Sequence, residues 1–209
     1  MRSLLNYSYT PPPVSKLLYL EMKFDSHSVY HIYNRGNNSQ KIFFTEANYL
    51  FFLDKIRKEL IPHGDILCYC LMPNHFHLMI FTPGDFKSND LNNAIGILLR
   101  SYTRAINLQE GRSGSLFQQK TKAKELIDKN NNNAVNYLTT CAHYIHLNPV
   151  KAGLAQHLDQ WRFSSYLDLA GLRNGTLCNK ELFFMLSEIR KDEFIKESEA
   201  MLDFKRNVS

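Results

Sequence analysis

The sequence predicts an α+β fold, one antiparallel sheet with helices packed on it, and three observations carry that reading. Short β-branched and aromatic runs alternate with longer stretches of helical periodicity. Two apolar runs flank a proline–asparagine pair, the signature of a hairpin. The elements follow in the order β-α-β-β-α-β, with a further helix after them.

Val29 to Tyr33 reads as the first strand, and Asn34 to Asn38 as the loop that ends it. Thr45 can cap a helix from Glu46 to Leu60, with Tyr49, Leu50, Phe52, Leu53 and Ile56 at helical spacing. Pro62-His63-Gly64 stops it. Ile66 to Met72 and Phe76 to Phe81 are the hairpin strands, with Pro73-Asn74 as the turn. Asp90 is a cap for a helix from Leu91 to Leu108. The basic run Lys120 to Lys124 leads through Glu125-Leu126-Ile127 as a fourth strand, and the asparagine-rich Asp128 to Asn133 is a loop. A third helix runs from Ala134 to Leu147 and ends at Asn148-Pro149, because the residue before proline disfavours helical backbone. From Trp161 onward one or two more helices follow; Glu181 to Phe204 is amphipathic. This is a ferredoxin-like βαββαβ pattern, an antiparallel sheet with helices on one face, extended by a later helix and C-terminal helices.

The chain has 209 residues and is 44% hydrophobic, enough for one domain with appendages. Its net charge of +5 is compatible with an anionic partner without requiring one. The four cysteines, Cys68, Cys70, Cys141 and Cys178, lack the spacing of a disulfide scaffold and read as reduced thiols of a cytoplasmic protein. No apolar run reaches the length of a membrane span. Asn6, Ser8 and the Pro11-Pro12-Pro13 run break any signal-peptide core.

Two features can carry chemistry. In Pro73-Asn74-His75-Phe76-His77, two histidines two apart on a strand share a face and can converge on one cation, with Phe76 in the opposite layer. The plain alternative is a pair of partly buried histidines with ordinary hydrogen bonds. A structural zinc site across the hairpin, from Cys68, Cys70, His75 and His77, is another, although cysteine in an apolar run is usually a small hydrophobe. The second feature is His143-Tyr144-Ile145-His146-Leu147-Asn148 on the third helix. Tyr144 and Asn148, four apart, share a face, so an amide oxygen and a phenol can flank one metal. Against this stands an amphipathic helix whose asparagine merely ends it. Tyr102 and Tyr137 lack a ligand-type residue four positions on and rank below Tyr144.

Together, His75-Phe76-His77 and the stretch Tyr144-Ile145-His146-Leu147-Asn148-Pro149-Val150-Lys151-Ala152-Gly153-Leu154 resemble the HUH-type single-tyrosine transposases, in particular the REP-associated tyrosine transposases. Tyr30 to Gly36, Gly114 to Gln118 and Trp161 to Tyr166 are similar to that family as well. The resemblance runs from about residue 27 to the C-terminal helices. It implies a divalent metal, Mg²⁺ or Mn²⁺, held by His75 and His77 with Asn148 as third ligand, and Tyr144 as the nucleophile. It implies single-stranded DNA beside hairpins or palindromes as the partner. Relatives include monomers and dimers, so oligomeric state does not carry over and a homodimer stays open, while the absence of a long apolar run argues against a membrane. It divides the chain into an arm (1–24), a catalytic domain (25–158) and a helical extension (159–209). Arg35, Arg100, Arg104, Lys120, Lys122 and Lys124 are candidates for holding the DNA backbone, Lys120, Lys122 and Lys124 as one strand face. The competing function is a non-catalytic nucleic-acid-binding module on the same fold.

Overall fold

A computed structural model describes residues 22–126 and 134–207. Most of the N-terminal arm and the Asp128 to Asn133 loop therefore lie outside the described residues. Four strands, β1 (Ser28–Arg35), β2 (Asp65–Met72), β3 (His75–Thr82) and β4 (Lys122–Glu125), form one sheet in the order β2-β3-β1-β4. Each paired neighbour is antiparallel, so the ferredoxin-like expectation holds. The hairpin turns at Pro73-Asn74, with Met72 opposite His75.

Helix α1 (Glu46–Glu59) begins at Thr45, where the Asn48 side chain accepts from the Thr45 N–H at 3.1 Å. Helix α2 (Ser88–Gln109) starts one turn before the expected cap, which places Asp90 inside its first turn. Both pack on the face made by Tyr30, Ile32, Leu71, Phe76, Leu78 and Ile80.

Helix α3 (Ala134–Lys151) packs on the opposite face, its Leu138, Ala142 and Ile145 against Val29, Cys68, Cys70 and Met79. Coverage of both faces explains why β2 reads as an unbroken apolar run without alternation. Short α4 (Tyr166–Leu169), α5 (Lys180–Ser187) and α6 (Phe194–Asn207) complete this second layer through Phe183 and Phe194. The segment before α4 covers the outer edge of β2: the Leu71 N–H donates to the Phe163 carbonyl at 3.0 Å and the Ser165 N–H to the Tyr69 carbonyl at 3.0 Å. Among the described residues no helix is long and apolar enough to cross a membrane.

One expectation fails. Helix α3 does not stop at Asn148-Pro149 but continues to Lys151, with Pro149 inside it. Proline leaves the Ile145 carbonyl without its helical donor. The Asn148 side-chain amide supplies a substitute, donating to the Tyr144 carbonyl at 2.8 Å and the Ile145 carbonyl at 3.4 Å. The helix ends where Gly153 takes φ +68°.

Candidate active site

Alternation on the strands decides which side chains meet. On β1, Tyr30 and Ile32 face α1 and α2, so His31, Tyr33 and Arg35 face α3. On β3, Phe76 faces α1, so His75 and His77 also face α3. The register sets Tyr33 opposite His77 and Arg35 opposite His75. Helix α3 lays Tyr144 across this end of the sheet. Its ring centroid lies 5.6 Å from that of His77 and 6.3 Å from that of His31. Tyr144 is 42% exposed, so the phenol is open to an incoming strand. Lys151 lies over its ring, Nζ 5.0 Å from the centroid. His31, His77, Tyr144 and Lys151, with Tyr33 and Tyr137, line a cavity of about 390 Å³.

The histidines carry orienting hydrogen bonds. His75 Nδ1 is 2.6 Å from Asn74 Oδ1; with the oxygen accepting, His75 Nε2 is left as a bare lone pair. His77 Nδ1 lies 2.8 Å from His31 Nε2. His77 Nε2 is buried and, among the described residues, has no hydrogen-bond partner. A third donor is at hand, since the Asn148 side chain lies beside His75, where it favours the protonated ring. Burial above all, helped by the neighbouring His31, His75 and Arg35, pushes the His77 imidazole down to about 2. Burial and Lys124 push His31 down to about 4. Burial lowers His75 too, opposed by the Asn148 side chain and assisted by Arg35. All three imidazoles are therefore neutral at pH 7, the form that ligates metals.

The structure thus brings His75, His77, Asn148 and Tyr144 into one place. Tyr102 is fully buried, its hydroxyl donating to the Ile42 carbonyl at 2.7 Å, which removes it as an accessible nucleophile. Cys68 and Cys70 are buried in the second-layer core, Cys68 opposite Met79 and Cys70 opposite His77, so only one of the two thiols pairs with a histidine. Among the described residues no group of three His, Cys, Asp or Glu can hold a metal, so the zinc alternative loses its basis. His31 is the residue that sequence reasoning missed. Its signal was the alternation of β1, but that it meets His77 depends on which strand pairs with β1.

The basic candidates split. Arg35, Lys122 and Lys124 lie on the α3 side, where Lys122 Nζ sits 5.7 Å from the Tyr33 ring centroid and Lys124 Nζ 4.6 Å from that of Tyr137. Lys120 does not share their face. It precedes β4 and, with Arg100 and Arg104 of α2, lines a second cavity of about 980 Å³ beside the α1–α2 layer. That groove is otherwise rich in amides, including Asn34, Asn107 and Gln118, and no acidic residue is among the described residues lining it.

No family model matches the sequence, and no curated protein matches it. Among solved structures, a REP-associated tyrosine transposase bound to a REP hairpin is similar, at 16% identity and a TM-score of 0.54 over 69% of this chain and 80% of that one. At that identity the likeness is one of fold. The βαββαβ sheet with its added helices is therefore an architecture that this chain has in common with a tyrosine transposase.

Proposed function

We propose that this protein is a single-tyrosine DNA strand transferase of the HUH kind, related to the REP-associated tyrosine transposases. The observation that carries the reading is the exposed Tyr144 ring, 5.6 Å from a histidine whose Nε2 is buried without a partner among the described residues. A buried bare nitrogen is unfavourable unless something fills its place, and a divalent cation does so. His75, His77 and the Asn148 amide oxygen would hold Mg²⁺ or Mn²⁺, with DNA phosphate and water completing its shell. When bound, the cation neutralises and orients the scissile phosphate.

The chain's own residues supply the rest. The Tyr144 phenol gives its proton to solvent and its oxygen bonds to phosphorus. The bond from phosphorus to the 3′ oxygen breaks, and that oxygen takes a proton back from solvent and leaves as a hydroxyl. The 5′-phosphotyrosine keeps the bond energy, so a second 3′ hydroxyl can reverse the step and rejoin strands. Arg35, Lys122 and Lys124 lie where they can hold the cleaved strand. The groove of Arg100, Arg104 and Lys120 suits the backbone of an adjoining hairpin.

Incubation with end-labelled hairpin DNA carrying an unpaired flank, in Mn²⁺, is expected to give a denaturation-resistant protein–DNA adduct. Tyr144→Phe abolishes it. Adduct of undiminished yield in that variant removes Tyr144 from the role. The groove stands apart from the tyrosine and supports a second reading, a module that only binds nucleic acid. That reading gives salt-sensitive binding, indifferent to metal and without adduct.

A further inference from the structure

We propose that His31 is a positioning residue that sets the tautomer of His77. The 2.8 Å contact between His31 Nε2 and His77 Nδ1 holds one proton, and two arrangements share it. If His31 donates, neutral His77 carries its own proton on Nε2. That N–H would be buried with no acceptor among the described residues, and it would bar a cation from the nitrogen. If His77 donates from Nδ1, the buried Nε2 is a bare lone pair, also unsatisfied by itself but the one form whose cost a cation relieves.

The second arrangement is the one that leaves His77 able to ligate, and the surroundings hold the contact in place. His31 is gripped by its neighbours: its ring stacks on Tyr33 at 4.8 Å and 26° and on His77 at 5.0 Å and 28°. It cannot readily turn away and release the bond. The same contact occupies His31 Nε2, so His31 supports His77 and is not a further ligand through that atom. An imidazole thereby takes the place a carboxylate or carbonyl often fills behind a ligating histidine. Lys124 across the strand pair would disfavour a second positive charge here, which fits a neutral partner.

The inference rests on His77 being a cation ligand, but its first test does not. Long-range ¹H–¹⁵N correlation spectra of the metal-free full chain report which nitrogen of His77 is protonated. The expected result is a proton on Nδ1, and Nε2–H in the wild type overturns the proposal. The second test is Mn²⁺ affinity by calorimetry without DNA. His31→Phe keeps a ring but removes the acceptor, and is expected to weaken Mn²⁺ binding about 10- to 100-fold. His31→Gln, which restores an acceptor oxygen, recovers most of the loss. Thermal melting of both variants separates this effect from unfolding. Wild-type affinity in a folded His31→Phe overturns the proposal. Mn²⁺ binding that is equally strong in His77→Ala sinks the metal reading itself, while the tautomer still answers for His31.

Discussion

At the scale of single residues, the site depends on side chains whose neighbours leave them half free. Tyr144 is open, whereas Tyr102 is buried and gives its hydroxyl to the Ile42 carbonyl. Tyr137 is also exposed and carries Lys124 over its ring as Tyr144 carries Lys151, but it lies about three turns of α3 from Asn148. Tyr102→Phe is expected to form adduct at the wild-type rate, yet lose about 1 kcal/mol in a denaturant melt, because a buried carbonyl loses its donor. His75, His77, Tyr144 and Asn148 were legible in the sequence because each pair is local: two apart on a strand, four apart on a helix. His31 was not, because its partner lies 46 positions away and only strand pairing brings them together.

Among elements, the C-terminal segments hold the sheet edge beneath the site. Asp168 of α4 is nearly buried and takes two hydrogen bonds from Arg173, at 2.7 Å each. Arg173 also donates to the Ser164 carbonyl at 2.8 Å, in the segment that caps β2. Arg173→Met strands a buried carboxylate and is expected to cost about 3 kcal/mol, read from the shift of a urea midpoint.

Helix α3 carries a second vulnerability. His143 is buried against α6, near Ser198 at 3.2 Å and Glu197 at 3.9 Å, and burial pushes it down to about 4 from an ordinary 6.5. As pH falls below 6.5 the unfolded chain takes up this proton first, so stability drops until the folded histidine also titrates near 4. The slope is about 1.4 kcal/mol per pH unit. The buried His146 acts in the same direction. Melting temperatures are expected to fall between pH 7 and 5, and to fall less in His143→Gln. The end of α3 was misread because a proline rule about backbone could not foresee a side chain from the preceding residue standing in for the missing donor.

For the whole molecule, the basic residues divide across the sheet. Arg35, Lys122 and Lys124 belong to the tyrosine's face, Arg100, Arg104 and Lys120 to the groove on the other. Arg100→Ala and Arg104→Ala are each expected to reduce the log–log salt slope of hairpin binding by about one. Cleavage of a short unpaired oligonucleotide should change little. A slope unchanged in both variants removes the groove from DNA binding. The order of elements, and with it the sheet topology, could be read from periodicity and turn residues. That Lys120 leaves the face of Lys122 and Lys124 could not, since β4 is only four residues long and its start is set by pairing with Tyr33.

The irregularity inside α3 also fixes an aim. Pro149 withholds a donor from the turn above it, and Asn148 spends its amide hydrogens there. With those hydrogens committed to the helix, the amide cannot flip, and its oxygen must face the other way, toward His75. Restoring an ordinary residue at 149 would mend the ladder and at the same time release the asparagine to rotate. A defect in one helical turn thus serves as the clamp that points an oxygen, and neither residue can be exchanged without the other feeling it.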